Sequence, residues 1–410
     1  MPNYSAPDIY VEEVAGGARP IEAVGTSTAG FVGITPDPDA YVNEARAVNN
    51  WSRFIRDYCK EESESTALSH AVYGFYANGG TRCYVVNVGP RGSIAGGGRN
   101  RAGLDLLEQV DEVAIVAAPG YTDAASYDAL LSHCERLENR VAILDAPEKV
   151  EESSRLTEVA VAKSEKPGKE PAAASEEGQR PSTGLRPRQS DGGYGAFYFP
   201  WIRMRDPMAS NKMVDVAPSG HIAGIWARTD AVRGVHKAPA NELVRGALNL
   251  SYQLTRAEQG ELNQAGVNCI RLFHREGIRV WGARTVAAGS SEWRYLNVRR
   301  LFNMIKESIA LNTRWIVFEP NDYSLWKSIR RDISAFLTRL WRDGALMGRT
   351  PEEAFFVKCD AETNPPEVID AGQVVTLIGI APVKPAEFII FRISQKQAGA
   401  SVESNGGTHA

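Results

Sequence analysis

Gly25-Thr26-Ser27, followed by Thr28, Ala29 and Gly30, has the composition of a turn that presents a serine nucleophile. Such a serine needs a histidine to take its proton and a carboxylate to orient that histidine. In hydrolases whose nucleophile sits in a Gly-Thr-Ser turn, the chain order is Asp, His, Ser, because the nucleophile opens a late helix. Here Ser27 precedes all six histidines, and none of them is followed by Gly-Thr. Ser27 therefore reads as a small residue that lets a first strand pack closely. A serine hydrolase using Ser27 stands as the rival reading.

The run from Gly89 to Gly103, GPRGSIAGGGRNRAG, raises the chemistry of a phosphate cradle, since it is glycine-rich and follows a strand. It fits neither GxxxxGK[ST] nor GxGxxG, and reads as a flexible connection. No HExxH, no HxH and no His/Cys pair at ligand spacing occurs, so neither a metal nor a cofactor is expected. The acidic stretch Glu61 to Ser65 reads as a solvated turn after a helix.

Cations form the more informative pattern. Over Tyr323 to Gly344, residues Trp326, Ile329, Ile333, Phe336, Leu337 and Leu340 recur at helical spacing and predict one wide apolar face. Lys327, Arg331 and Arg342 then fall on the opposite side, with Arg330 and Arg339 flanking it. This pattern suits an ordinary solvated face or a docking stripe for an acidic partner.

The elements around these residues change character along the chain. PDIYVEEV predicts a lone extended arm, with Ile9 and Val11 on one side and Tyr10 and Glu12 on the other; Gly16-Gly17 behind it permits bending. From residue 23 to about 235, apolar strands (EAVGTSTAGFVGITP, CYVVNVG, DEVAIVAAPG, RVAILDAP) alternate with helices, which predicts a mostly parallel sheet covered on both faces. Residues 147–193 lose that pattern and predict a disordered surface insert. A second, α+β unit is expected over 236–380, with strands at NCIRLFH, GIRVWGARTV and RWIVFEPN and two long helices. Residues 381–394 are expected to be a terminal β-arm, and 395–410 a frayed tail. In that arm Phe388, Ile389, Ile390, Phe391 and Ile393 are strongly β-prone, so a free edge there would aggregate and must be paired. Arms at both ends allow one subunit to lend strands to another.

Composition sets the remaining bounds. A formal net charge of -4 gives no basic footprint for nucleic acid. The five cysteines are scattered, which suits a reducing compartment. Neither a Sec signal nor a run of ~20 apolar residues is present, so no membrane insertion is expected.

The motifs APDIYVEEV, IEAVGTSTAGFVG, NGGTRCYVVNV, VAIVAAPG, RVAILDAP, GVHKAPAN, LNQAGVNCIR, GIRVWGARTV, EWRYLNVRRLFNMIKESI, RWIVFEPND and IAPVKPAEFIIFRI stand in the order of the contractile tail sheath family, which this chain resembles over nearly its whole length. That family includes sheaths of contractile-tailed phages, R-type pyocins and contractile injection systems. The resemblance implies a subtilisin-like α/β domain lacking a catalytic triad, plus an α+β C-terminal sheath domain with extended N- and C-terminal β-arms. It implies a structural protein, a helical homo-oligomer of stacked, expectedly hexameric rings around an inner tube protein, with baseplate and terminal cap proteins as further partners. Strand exchange falls on Ile9, Tyr10, Val11 and Glu12 and on Phe388, Ile389, Ile390, Phe391 and Ile393. Tube attachment falls on Lys327, Arg330, Arg331, Arg339 and Arg342. Assembly in the bacterial cytoplasm, within a phage tail or tail-like particle released by lysis, is implied too.

Overall fold

The computed structural model describes residues 20–96, 101–161, 184–209 and 212–390. Its first unit runs through β1 (Ala29–Gly33), β2 (Ala45–Val48), α1 (Trp51–Tyr58), α2 (Ala67–Ala77), β3 (Cys83–Asn87), β4 (Ile115–Ala117), α3 (Ala124–Leu137) and β5 (Val141–Asp145). It continues through β6 (Gly195–Phe199), β7 (Ile202–Arg205), β8 (Met213–Val216), α4 (Ser219–Arg233), β9 (Glu242–Leu243), β10 (Asn249–Leu250), α5 (Arg256–Gln264), β11 (Val267–Phe273) and β12 (Gly277–Trp281).

Nine of these strands form one sheet in the order β2-β3-β1-β4-β5-β6-β11-β12-β9. Neighbours from β3 through β11 run parallel, while β2, β12 and β9 pair antiparallel at the flanks. Strands β1, β5 and β6 are buried at every residue, as a sheet covered on both faces requires. Successive residues serve opposite cores: Phe31 and Tyr198 pack with Trp226 of α4, whereas Val32 and Phe197 pack with Leu131 of α3. Strands β10, β7 and β8 make a small separate sheet.

Local chemistry starts the helices where the periodicity places them. Asn50 accepts from Arg53 N at 2.8 Å to cap α1, and Thr66 with Ser69 forms a reciprocal capping box on α2. Helices α2 and α4 cross closely because Gly220 lies against the backbone of Ala71, leaving no room for a Cβ.

The expected boundary at residue 235 is corrected by the ladder. Strand β11 pairs with β6 (Val267↔Phe197), so the sheet unit extends through Trp281. Hydrogen bonding across the sheet, invisible to local periodicity, decides this. The insert is corrected likewise: on its flanks Leu156 and Ser190 are buried, and Leu185 N donates to Arg155 O at 2.9 Å. Residues 147–161 and 184–193 thus belong to the folded unit, and the rest of that stretch lies outside the described residues.

The C-terminal unit comprises α6 (Leu296–Asn312), α7 (Tyr323–Arg342), α8 (Pro351–Ala354), β13 (Phe355–Lys358), α9 (Pro366–Asp370) and β14 (Leu377–Ile380). A third core, with Leu301, Trp326, Phe336 and Leu337, joins α6 to α7. RWIVFEPN is not a strand. It makes a 3-10 turn over Arg314–Ile316 and a loop, because it must turn the chain between two helices that share one core. No helix among the described residues is long and apolar enough to cross a membrane.

Candidate assembly surfaces

Residues singled out for catalysis do not converge. Ser27 lies half-buried in the segment leading into β1, and its hydrogen-bonded neighbour Thr26 donates to Asp230 Oδ2 at 2.5 Å. A serine, histidine and carboxylate do meet elsewhere, which the sequence did not reveal. Ser65 Oγ donates to Asp206 Oδ2 at 2.5 Å, while His70 Nε2 lies 3.7 Å from Asp206 Oδ1. The serine proton is given to the carboxylate rather than to the imidazole, so this grouping clasps α2 to the β7–β8 connection and cannot activate Ser65. In the described part of the glycine-rich run, the Asp105 carboxylate lies against Gly96. No group of three metal-ligating side chains occurs among the described residues.

Buried polar chemistry instead holds the two units together. Arg300 of α6 reaches Asp230 of α4 through two bonds of 3.0 and 2.6 Å, with both side chains nearly inaccessible. The guanidinium also donates to Thr26 O at 3.0 Å and stands 4.7 Å from the Trp226 ring centroid. Residues 20–28 form a strap across the joint: Ile21 is buried in the C-terminal core, Arg339 donates to its carbonyl, and Val24 N donates to Ser308 Oγ at 3.0 Å. Ile21 is therefore a packed residue, and exposed Glu22 is held by its carbonyl, which accepts from Asn312 Nδ2 at 3.0 Å, so neither belongs to a free arm. Ile9, Tyr10, Val11 and Glu12 lie outside the described residues.

At the other end, residues 381–383 stay with their own unit. Met347 N donates to Ala381 O at 2.8 Å, and Asn297 Nδ2 donates to Val383 O at 3.0 Å. The chain then crosses to the sheet unit, where Arg284 clamps Glu387 through bonds of 2.9 and 2.6 Å. Beyond this clamp Phe388, Ile389 and Ile390 are 74%, 73% and 79% exposed and form no strand among the described residues. Phe391 and Ile393 lie outside the described residues. Residues 381–383 and Glu387 of the β-arm expected from residue 381 are therefore bonded within their own subunit.

The β13–β14 ribbon has a complementary deficit. Its strands pair antiparallel (Phe355↔Ile380 to Lys358↔Leu377), and among the described residues no third strand joins either. Phe355, Val357 and Ile380 pack on the third core, whereas Phe356, Leu377 and Ile378 are exposed. Sequence reasoning passed over Phe355–Lys358, a short strand whose mixed neighbours hide its period.

Helix α7 buries the apolar face expected of it, including Trp326, Ile329 and Phe336. Lys327, Arg331, Arg339 and Arg342 are exposed and Arg330 is half-buried. Arg331 pairs with adjacent Asp332 at 2.9 Å and Arg339 donates to the strap, so Lys327, Arg330 and Arg342 are the cations of this row with neither an ion pair nor a side-chain hydrogen bond among the described residues.

The sequence model of the phage tail sheath protein central domain matches residues 189–286, and that of the phage tail sheath C-terminal domain matches residues 289–396, together half of the chain. The tail sheath protein of Vibrio phage KVP40 is 34% identical over 182 residues, 44% of this chain and 26% of that protein. The tail sheath protein of Enterobacteria phage T4 is 28% identical over 200 residues, 48% of this chain and 29% of that protein. The chain thus spans less than a third of the length of these two relatives. Solved structures match end to end. The sheath complex of the extracellular contractile injection system PVC, in its contracted state, has a TM-score of 0.73 at 28% identity and covers 97% of this chain and 99% of its own. The helical sheath of the anti-feeding prophage, also contracted, gives 0.73 at 29% identity and covers 96% and 100%. The domain matches meet at residues 286 and 289, where the sheet unit gives way to the helical unit, and on these grounds the chain belongs to the contractile tail sheath family.

Proposed function

We propose that this chain is the structural subunit of a contractile sheath, which polymerises helically around an inner tube and shortens to drive that tube through a target envelope. One observation carries the reading. Among the described residues, the two-stranded ribbon has no third strand on either edge, and the apolar segment Phe388 to Ile390 is exposed and pairs with no strand. An isolated two-stranded ribbon is marginal, and exposed edges invite strand addition. In an array of copies each deficit satisfies the other, with Phe388, Ile389, Ile390, Phe391 and Ile393 of one subunit, and Ile9 to Glu12 of another, completing the ribbon.

The finer reading is of stacked, hexameric rings joined by these exchanges, with Lys327, Arg330, Arg331, Arg339 and Arg342 facing the tube. The sheet unit is read as subtilisin-like without a triad. Baseplate and cap proteins close the ends, and the particle assembles in the bacterial cytoplasm and leaves by lysis. A match to the anti-feeding prophage baseplate, with a TM-score of 0.72 at 28% identity, supports a baseplate contact. Energy would be stored in the extended assembly, so no nucleotide site is called for.

Deleting residues 1–20 tests the exchange directly. Electron microscopy is expected to find soluble monomers, and intact tubular sheaths from this variant would refute the proposal.

A further inference from the structure

The loop between α6 and α7 carries a feature that none of the three cores explains. Phe318 is fully exposed, and its φ of 71° lies in the left-handed region that a bulky side chain avoids. Val317 beside it is also exposed. Water gains nothing from a phenylalanine displayed in a disfavoured backbone conformation. A partner that buries the ring does.

The ring is not on a loose segment. Trp326 Nε1 donates to Asn321 Oδ1 at 2.8 Å, and Asn321 Nδ2 donates to Gln373 O at 2.8 Å. Within the loop, Glu319 N donates to Ile316 O and Asp322 N to Pro320 O, both at 3.0 Å. The knob is thus organised before any partner arrives, which lowers the ordering cost of binding. Directly after it Tyr323 opens the exposed face of α7, and Tyr323, Lys327 and Arg331 follow at four-residue intervals along one line. An aromatic anchor at the head of a row of cations has the make-up of an interface hot spot with a charged margin.

We infer that Phe318 is the anchor of the tube contact, seated in an apolar recess whose rim is acidic on the inner tube protein. This deepens the tube-attachment reading above and rests on it. The anchor supplies affinity that salt does not screen; the cations supply steering that salt does.

The test mixes the full-length sheath with inner tubes of the same particle and measures co-sedimentation across a salt series. Phe318→Ala is expected to weaken tube binding about thirtyfold with the salt slope unchanged. The double reversal Lys327→Glu and Arg331→Glu is expected to weaken binding and flatten that slope. Phe318→Ala should retain its thermal midpoint and its self-association without tubes, measured by sedimentation velocity. Wild-type binding by Phe318→Ala with loss in the charge variant overturns the anchor and leaves the tube-facing assignment standing. Wild-type binding by both overturns the two together. A lowered midpoint, or self-association lost in the absence of tubes, assigns the ring to the fold or to a sheath–sheath contact and also overturns the proposal.

Discussion

Asp145, at the end of β5, is fully buried and accepts from Ser219 N at 2.8 Å, Ser219 Oγ at 2.7 Å and Gly120 N at 3.3 Å. Desolvation outweighs these donors and pushes its carboxyl from 3.8 up to about 6. The folded state therefore holds a proton that the unfolded chain has released, and this contribution to stability is lost as pH rises from about 4 through 6. Asp145→Asn removes the effect. Its stability relative to the parent should rise by about 3 kcal/mol across that window and stay flat above it, as read by denaturant unfolding at a series of pH values. His221 works in the opposite sense: burial pushes it from 6.5 down to about 4, so its contribution is complete above 6.5 and lost as pH falls. Gly220→Ala should cost about 1–3 kcal/mol, since a Cβ must displace the Ala71 backbone; unfolding of the purified variant checks this. Neither residue stood out in the sequence. A glycine or an aspartate announces itself only when the facing element is known, and α2 lies more than 140 residues before α4.

Strands β1, β3 and β5 and helices α2, α3 and α7 were legible because each carries its own signal: unbroken apolar runs, cap residues, or a period of 3.6. RWIVFEPN misled because its β-prone composition is outvoted by its place between α6 and α7. The terminal arm misled over 381–387, where hydrogen bonds to residues 345 and 347 and the Arg284 clamp hold the chain to its own subunit. Four of the five cations on α7 are exposed and Arg330 is half-buried, and two of the five, Arg331 and Arg339, already have internal partners. For the β13–β14 ribbon, Phe356→Lys with Leu377→Lys should leave the unfolding free energy within about 0.5 kcal/mol of the parent, because both side chains face solvent. Polymer yield in electron micrographs should fall sharply, since the charges sit where an added strand would pack.

On the scale of the whole subunit, two units meet across a buried ion pair. Arg300→Met strands the Asp230 carboxylate, at a cost of about 3–5 kcal/mol, while Arg300→Met combined with Asp230→Leu should recover most of it. Hydrogen exchange over residues 23–28 and 296–303 reports the loosening in the first variant and its absence in the second. The domain division was the least legible feature, because β11 and β12 follow a helix in sequence but complete a sheet begun some 240 residues earlier. The strap has a mechanical corollary. Its residues are moored to the helical body at Ile21 and Val24, then to α4 at Thr26, and only then enter the interior strand β1 at Ala29. Tension applied to the N-terminus consequently loads these moorings in series, and an optical-trap extension trace should yield in the helical body before the sheet gives way.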